Sequence, residues 1–233
     1  MISDSKVILF DLDGTLVRTG GAGLRALSSA LKDLYGMDPP LDGITIAGNT
    51  DPNIFREIIR KKISGSPPTL KEEGRFFEKY LYYLKIEIES SPGYRILPGT
   101  LAILEAAQNH KHLHTGLGTG NIEMGARIKL ERGGLNPFLA FGGFGSDSSD
   151  RPQMLRMGVE KAQKLFGVIF QPHQVYIVGD TPLDISAART MGAQIIAVAT
   201  GGYTSNDLRV LEPDLLLENL SDMNVFFEFI SQT

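Results

Sequence analysis

The sequence of 233 residues contains no cysteine. Disulfide bonds, thiolate nucleophiles and cysteine-bound zinc are therefore excluded, which leaves chemistry based on oxygen and nitrogen groups. No apolar run approaches the length of a bilayer-spanning helix, and the first residues, MISDSK, lack the basic and then apolar order of a secretory signal. We expect a cytoplasmic protein without a membrane partner.

An excess of basic residues is also missing, because 23 Lys and Arg residues stand against 27 Asp and Glu residues, a formal net charge of −4. A nucleic-acid-binding protein needs a basic face, so this balance gives no reason to expect a nucleic-acid partner. The hydrophobic share of 42% and the chain length are sufficient for one large domain or for one domain with an insertion.

Residues 18–92 have the pattern of an all-helical segment. Leucines recur at helical spacing in GAGLRALSSALKDLYG, which predicts a first helix. A second helix is predicted in TDPNIFREIIRKKI, where Asp51 can cap the helix and Pro52 fits its first turn. A third helix is predicted after Thr69, because Thr69 and Glu72 form a capping-box pattern.

The rest of the chain alternates strands with helices, which is typical of a parallel sheet covered by helices on both faces. The run VILF at Val7–Phe10 indicates a buried strand of that sheet, and its partners must come from the region after Leu97. We predict an α/β fold in which residues 1–17 and 93–233 form a Rossmann-like core and residues 18–92 form an inserted helical domain. The later strands are predicted at Leu113–Leu117, Val175–Val178, Gln194–Ala199 and Asp214–Leu217.

Carboxylates follow two of the predicted strands. Asp11 and Asp13 end the first strand, and with a period of two their side chains lie on the same side, about 7 Å apart. Asp180 follows the strand VYIVG, and Asp184 comes four residues later. Ligands of an open parallel sheet bind at the carboxyl ends of its strands, so we expect these four groups to converge there. Such a group of carboxylates is suitable for binding Mg²⁺, and Mg²⁺ usually binds together with a phosphorylated substrate, so we expect a small phosphorylated molecule as the partner.

The same edge provides the parts of a phosphoryl-transfer site. Asp11 could attack phosphorus as a nucleophile, and Asp13 could protonate the leaving oxygen and later accept a proton from water. Thr119, Gly120 and Asn121 end another predicted strand, where a hydroxyl and backbone N–H groups could hold the phosphoryl oxygens. These residue types therefore predict phosphate-ester chemistry.

The motifs resemble those of the haloacid dehalogenase-like hydrolases. DLDGT resembles the family's DxDG[TV] signature, GDTPLD resembles its late GDxxxD signature, and GLGTGN resembles its short second motif, a strand that ends in Thr. The resemblance implies a Rossmann-like core, Mg²⁺ and an aspartyl-phosphate intermediate. It implies the roles of nucleophile for Asp11, acid/base for Asp13, phosphate binder for Thr119, and metal ligand for Asp180 with the support of Asp184. The helical segment resembles the family's small alpha-helical cap.

The third motif of that family is most often a lysine, whereas Arg151 stands at the corresponding place in this sequence. A cation there would offset the charge spread over the transferred phosphoryl group. An arginine fork suits a phosphate, although it holds the group differently from an ammonium point charge. Lys129 and Lys161 are alternative candidates for this cation, but both have the pattern of solvent-facing helix lysines.

The second aspartate, Asp13, favours phosphate esters, because dehalogenases that resemble this pattern lack it. The nearest resemblance is to phosphoglycolate phosphatase-like enzymes, so we expect a phosphatase that acts on a small phosphomonoester such as phosphoglycolate or a sugar phosphate. A phosphomutase uses the same core parts and is the alternative. Gly48, Asn49 and Thr50 precede a helix at a place comparable with the family's cap loop, and we predict that this loop selects the substrate.

Two other classes of protein fit the sequence less well. Residues 21–26 match G-x-G-x-x-A, but a dinucleotide-binding turn follows its strand directly, whereas DLDGTLVRTG intervenes in this chain. A receiver-like phosphoacceptor module would also use aspartates, Mg²⁺ and a threonine. Such a module has no use for an inserted helical domain, so an enzyme is the better interpretation.

Overall fold

The computed structural model describes residues 5–232 of the chain, so residues 1–4 and 233, with which the predicted core begins and ends, lie outside the described residues. The strands are β1 (Lys6–Phe10), β2 (Val17–Thr19), β3 (Tyr94–Ile96), β4 (Leu113–Thr119), β5 (Gly142–Phe144), β6 (Val175–Gly179), β7 (Gln194–Val198) and β8 (Leu215–Leu217).

The helices alternate with the strands in the second half of the chain, as the sequence predicts. Within residues 5–232, no helix combines the length and the apolar character that a membrane crossing requires. The helices are α1 (Ala22–Tyr35), α2 (Asp51–Ile58), α3 (Leu70–Ser90), α4 (Thr100–Gln108), α5 (Glu123–Glu131), α6 (Arg151–Phe166), α7 (Pro182–Met191), α8 (Ser205–Arg209) and α9 (Met223–Gln232).

Six strands form one parallel sheet in the order β5, β4, β1, β6, β7, β8. The central place of β1 explains its apolar run, because a strand covered on both faces must bury every side chain. Ile8 and Phe10 belong to the apolar core on one face of the sheet, and Val7 and Leu9 belong to the core on the other face. The predicted α/β fold with a Rossmann-like sheet is confirmed.

The segment between β2 and β3 contains α1, α2 and α3, which we call the helical unit. It has an apolar cluster of its own, in which the rings of Phe55 and Phe76 stack with centroids 3.9 Å apart. The capping box of Thr69 and Glu72 is present at the start of α3, as predicted. The boundaries of an inserted domain at residues 18 and 92 stay a prediction.

Three short strands were not predicted from the sequence. β2 and β3 pair as an antiparallel ribbon at the base of the helical unit, and β5 extends the parallel sheet beside β4. Strands of three residues are too short to show an alternating pattern. β5 also contains Gly142 and Gly143, and a Cβ on Gly143 would lie 2.0 Å from the carbonyl oxygen of Met154 in α6. The close packing of α6 on β5 therefore explains Gly143, whereas a Cβ on Gly142 would lie 2.6 Å from the carbonyl oxygen of Leu117 in β4.

The start of α2 also differs from the prediction. Thr50 is the capping residue, and its side chain accepts a hydrogen bond from the N–H of Asn53. Asp51 is the first helical residue, and its carboxylate accepts a hydrogen bond from the backbone N–H of Ile122 at 2.9 Å. The prediction that Asp51 caps α2 is wrong, because this carboxylate instead joins the helical unit to the loop after β4.

Candidate active site

Three neighbouring strands bring predicted site residues to one edge of the sheet. Asp11 follows β1, Thr119 ends β4 and Asp180 follows β6. Because the strands are parallel, their carboxyl ends share an edge, as the sequence predicts. All three side chains are buried, and they line a cavity of about 570 Å³ that is also lined by residues of the helical unit.

Three of the predicted metal-binding carboxylates form a tight group. Asp11, Asp180 and Asp184 each have one carboxylate oxygen within 4.8 Å of the others. Asp184 reaches the group from the first turn of α7, where its carboxylate accepts hydrogen bonds from the N–H and the hydroxyl of Thr181. The Asp13 carboxylate lies outside this group, so its service as a metal ligand stays a prediction.

Glycines allow the close approach of the segments that carry these carboxylates. Gly14 of the DLDGT motif has a left-handed φ of 91°, and a Cβ there would lie 2.5 Å from Oδ2 of Asp180. A Cβ on Gly179 would lie 2.2 Å from Cγ of Asp184. The glycines of both motifs are therefore required for packing around the acidic side chains, since any side chain would collide with them.

Burial and mutual repulsion raise the pKa values of Asp11 and Asp180. Burial is the main cause that raises the pKa of Asp11 to about 7, and the charge of Asp184 adds to this effect. Burial and then the charge of Asp11 raise the pKa of Asp180 to about 8. A divalent cation would offset this repulsion, and three converging carboxylate oxygens are a suitable donor set for Mg²⁺.

Arg151 is the buried cation beside the acidic group. It is the first residue of α6, and its Nη2 lies 2.5 Å from Oδ1 of Asp184 and 3.4 Å from Oδ1 of Asp11. Burial acts to lower the pKa of Arg151, but the charges of Asp184 and Asp11 outweigh it, so the pKa lies above its usual value. The guanidinium is therefore next to the predicted nucleophile, and its contact with a phosphoryl group stays a prediction.

Asp13 lies on the opposite side of the site and has its own cation. Its Oδ2 lies 2.6 Å from Nζ of Lys129 and accepts a hydrogen bond from the amide of Asn121 at 2.8 Å. The Asp13 side chain is 40% exposed, whereas the Asp11 side chain is 8% exposed. Both side chains line the cavity, but the predicted acid/base is far more exposed than the predicted nucleophile.

The interpretation of Lys129 as a solvent-facing lysine is wrong, because the residue is only 4% exposed. It lies on the buried stripe of α5, where Gly125, Ala126 and Leu130 are its buried neighbours. Burial acts to lower the pKa of Lys129, but Asp13 and Asp51 outweigh that effect and raise it above the usual value. The Lys129 side chain is therefore charged at neutral pH, and the carboxylates of Asp13 and Asp51 stabilise that charge.

The end of β4 places the predicted phosphate-binding residues at the same cavity, which Thr119, Gly120 and Asn121 line. The Thr119 hydroxyl oxygen accepts hydrogen bonds from the N–H and the side-chain amide of Asn121. The three residues therefore lie together beside the acidic group. Their contact with substrate stays a prediction.

The predicted substrate-selecting loop packs directly on this edge. The carbonyl oxygen of Gly48 accepts a hydrogen bond from Arg151 at 2.8 Å, and a Cβ on Gly120 would lie 2.2 Å from the carbonyl oxygen of Asn49. Thr50 is buried as the cap of α2. The loop thus contacts both the cation and the end of β4, and its selection of a substrate stays a prediction.

Sequence reasoning gave no role at this cavity to the polar side chains of Arg18, Asp51, Tyr80 and Arg95, and it placed Lys129 on a solvent-facing side of its helix. The spacing of Ala126, Lys129 and Leu130 on α5 is the signal that placed Lys129 on a buried stripe. The place of Asp51 had no local signal, because its partner, the N–H of Ile122, is distant in sequence.

Comparison with known proteins relates the chain to one enzyme family. A family model described as haloacid dehalogenase-like hydrolase matches residues 8–198, a range that contains every catalytic and metal-binding residue predicted above. The chain is 29% identical over 224 residues to the phosphoglycolate phosphatase of Chromobacterium violaceum, with 94% of each protein covered. It is 27% identical over 228 residues to that of Aquifex aeolicus, again with 94% of each covered.

Solved structures show the same fold. CbbY from Rhodobacter sphaeroides, in complex with phosphate, matches with a TM-score of 0.74 at 17% identity over 96% of each chain. A Bacteroides vulgatus protein with the provisional name beta-phosphoglucomutase matches with a TM-score of 0.70 at 21% identity over 99% of this chain and 90% of that protein. At these identities the likeness concerns the fold alone.

Proposed function

Because the chain belongs to the haloacid dehalogenase-like hydrolases and is a phosphoric monoester hydrolase of that family, we propose that it hydrolyses a small phosphomonoester in a Mg²⁺-dependent reaction. The observation that carries the proposal is the buried group of Asp11, Asp180 and Asp184 beside Arg151. So many buried carboxylates are costly without a cation between them, and a bound cation would bring a phosphate ester to the same place.

The first half-reaction transfers the phosphoryl group to the protein. An oxygen of Asp11 attacks phosphorus, the bond from phosphorus to the ester oxygen breaks, and Asp13 gives that oxygen a proton. The products are phosphorylated Asp11 and a neutral alcohol. Arg151, 3.4 Å from the Asp11 oxygen, offsets the charge on the transferred group, whose oxygens are held by Thr119 and the N–H groups after it.

The second half-reaction releases phosphate. Asp13, now without its proton, accepts one from a water molecule as the water oxygen attacks phosphorus. The bond from phosphorus to Asp11 breaks, which restores both carboxyl groups to their starting states. Bound Mg²⁺, held by Asp11, Asp180 and Asp184, supplies the charge that lets an anionic ester approach an anionic nucleophile.

The substrate class is a small soluble phosphomonoester, of the phosphoglycolate or sugar phosphate type. The names of the curated relatives support the first type, and the cavity of about 570 Å³ is large enough for either. The loop of Gly48, Asn49 and Thr50 lines or borders this cavity from the helical unit, so we assign it the choice of substrate. A small metabolite of this kind is consistent with a cytoplasmic enzyme.

The test is a panel of phosphorylated metabolites, with p-nitrophenyl phosphate as a general substrate, in the presence of Mg²⁺ or of a chelator. We expect multiple turnovers that require Mg²⁺ and release inorganic phosphate. A single stoichiometric phosphorylation without turnover would contradict the proposal and support a phosphoacceptor module. Absence of any phosphate release over the whole panel would also contradict it.

A phosphomutase is the second candidate, because the same nucleophile and acid/base would serve it, and one protein of the same fold is named as a beta-phosphoglucomutase. In that case the second hydroxyl of a sugar phosphate, rather than water, accepts the phosphoryl group from Asp11. The two functions are separated by incubation with glucose 1-phosphate and a trace of a sugar bisphosphate. Isomerised sugar phosphate without free phosphate would identify the mutase.

A further inference from the structure

A buried lysine on the leaving-group side of the site has no part in the phosphatase reaction described above. Lys129 reaches from α5 to Asp13, with 6% of its side chain exposed. The helical unit covers its ammonium group, since a Cβ added at Gly23 of α1 would lie 3.6 Å from Nζ. Burial of a lysine ammonium costs its hydration energy unless paired groups offset that cost, so the groups that Lys129 contacts indicate its role.

Those contacts form a closed ring of three side chains. Nζ of Lys129 donates to Oδ2 of Asp13 at 2.6 Å and to Oδ1 of Asn121 at 2.6 Å. The amide of Asn121 donates to the same Asp13 oxygen at 2.8 Å and to the Thr119 hydroxyl at 2.9 Å. The ring is thereby tied to the end of β4, a rigid part of the sheet.

The ring treats the two oxygens of Asp13 differently. Both donors meet at Oδ2, and in residues 5–232 no hydrogen bond of the structure ends on Oδ1. Oδ2 uses its lone pairs to accept hydrogen bonds from the Lys129 ammonium and the Asn121 amide. It therefore has no free lone pair for a proton while both hydrogen bonds are present. The proton that Asp13 exchanges must therefore sit on Oδ1.

We propose that Lys129 is a positioning residue for Asp13, which holds Oδ2 so that Oδ1 exchanges protons with the leaving oxygen and then with water. The inference rests on the proposed function, because it assigns a task to Lys129 within that reaction. It differs from the role of Arg151, which pairs with Asp11 and Asp184 on the other side of the site. The hydrogen bonds of Lys129 go to Asp13 and Asn121, and we assign it a role through Asp13.

Leaving groups of unequal acidity test this role. Phenyl phosphate and p-nitrophenyl phosphate have similar shapes, but p-nitrophenolate leaves without the help of a proton. The ratio kcat/KM reports the steps up to formation of the phosphorylated enzyme, which is where the leaving oxygen is protonated. The variants are Lys129→Met, Lys129→Gln and Lys129→Arg, and the control is Lys164→Met, which removes an exposed lysine of α6.

We expect Lys129→Met and Lys129→Gln to lower kcat/KM for phenyl phosphate by about tenfold to a hundredfold, which is part of the roughly 10²–10⁴-fold that an acid/base contributes, because Asp13 itself is retained. The loss for p-nitrophenyl phosphate should be several times smaller. Lys129→Arg should recover part of the lost rate, because it keeps the charge beside Asp13. Lys164→Met should match the wild type with both substrates.

Several results would overturn the inference. Equal losses of kcat/KM with both esters, or losses that follow a fall in melting temperature across the three variants, would make Lys129 a structural residue only. A rise in KM confined to substrates with a second anionic group would make it a direct binding group. A wild-type enzyme that releases phosphate from neither of these esters nor any ester of the metabolite panel overturns the proposed function together with this inference, whereas equal losses in an active enzyme overturn this inference alone.

Discussion

The two sides of the active site each contain a buried cation, but the two cations serve carboxylates of different exposure. Arg151 holds Asp184 and Asp11 with a guanidinium fork in the closed part of the site, where the Asp11 side chain is 8% exposed. Lys129 holds Asp13 with an ammonium group where the Asp13 side chain is 40% exposed to the cavity. We call the part of the site around Asp11, Asp184 and Arg151 the enclosed side, and the part around Asp13 and Lys129 the open side.

This difference shows how one edge of the sheet can hold two aspartates with different proposed roles, Asp11 as nucleophile and Asp13 as acid/base. The aspartates are two residues apart, yet the cation of one comes from the start of α6 and the cation of the other comes from α5. Charge is thus balanced separately for Asp11 and Asp13. A change on one side should therefore leave the other side largely intact, which is the basis of the predictions that follow.

The largest expected effect separates the two aspartates directly. Asp11→Asn should lower turnover by about 10⁴-fold or more, because no covalent intermediate can form. Asp13→Asn should still form phosphorylated enzyme from p-nitrophenyl phosphate and then accumulate it, because water lacks its base. Steady-state rates and the mass of the protein after brief incubation with substrate measure both outcomes.

The control for this pair is Asp38→Asn, which changes an exposed aspartate and should leave the rate unchanged. Asp11→Asn should not lower the melting temperature, since it removes one charge from a group whose members repel one another. Normal turnover by Asp11→Asn would show that another group is the nucleophile.

The second prediction concerns the cation of the enclosed side. Arg151→Met leaves Asp184 and Asp11 without their partner, so we expect a loss of about 3 kcal/mol in the free energy of unfolding and at least a hundredfold loss of kcat/KM. Arg151→Lys should restore much of the stability and less of the activity, because a point charge cannot hold both carboxylates as the fork does. Urea unfolding and kinetics measure the two effects.

Arg156→Met is the matched control, since Arg156 lies on the same helix and, within the part of the chain that the structure describes, its hydrogen bond goes to the carbonyl of Thr190 at the surface. It should change stability by less than about 1 kcal/mol. If Arg151→Met retains both stability and activity, the enclosed side does not depend on its cation.

Much of the enclosed side could be predicted from the sequence, and less of the open side. Asp11, Asp180 and Asp184 stand in short motifs directly after strands, where the rule of strand ends applies without knowledge of packing. Lys129 stands within a helix whose buried stripe is decided by the helical unit above it and by the sheet below it. A lysine on a helix is usually solvated, so the apolar neighbours Ala126 and Leu130 are only a weak local signal, and tertiary contacts decide its burial.

The same reason explains the misplacement of the α2 cap. Asp51 and Thr50 are both suitable capping residues, and the choice between them depends on the distant N–H of Ile122. The short strands β2, β3 and β5 escaped prediction because they owe their pairing to neighbouring strands and not to their own composition. Local motifs thus predicted the acidic residues of the site, whereas long-range packing decided the α2 cap, the burial of Lys129 and the pairing of the short strands.

The third prediction tests whether activity depends on the packing of the loop of Gly48, Asn49 and Thr50 against the end of β4. Gly120→Ala places a Cβ 2.2 Å from the carbonyl oxygen of Asn49 and so pushes the loop of the helical unit away from the sheet edge. We expect a stability loss of about 1 to 3 kcal/mol and a fall in kcat/KM of about tenfold. Gly74→Ala, an exposed position of α3 away from the cavity lining, is the control, because among residues 5–232 a Cβ there meets no atom within 4 Å. Equal behaviour of the two variants would contradict the role of this contact.

The smallest expected effect concerns Mg²⁺ and pH on the enclosed side. Because folding raises the pKa of Asp11 to about 7 and that of Asp180 to about 8, the folded protein binds more protons than the unfolded chain between about pH 4 and pH 8. Without metal, stability should therefore fall as pH rises through this window and level off above it. Asp51, whose pKa burial raises to about 6, adds to the same trend.

Mg²⁺ should reverse this loss, because it takes the place of the protons between the carboxylates. We expect saturating Mg²⁺ to raise the melting temperature by a few degrees at pH 8 and by clearly less at pH 5, where protons compete for the same oxygens. Sodium chloride at equal ionic strength is the control for screening, and Asp184→Asn should weaken the response. An equal shift at both pH values would mean that the cation binds elsewhere, since only a site made of Asp11 and Asp180 couples metal binding to their release of protons.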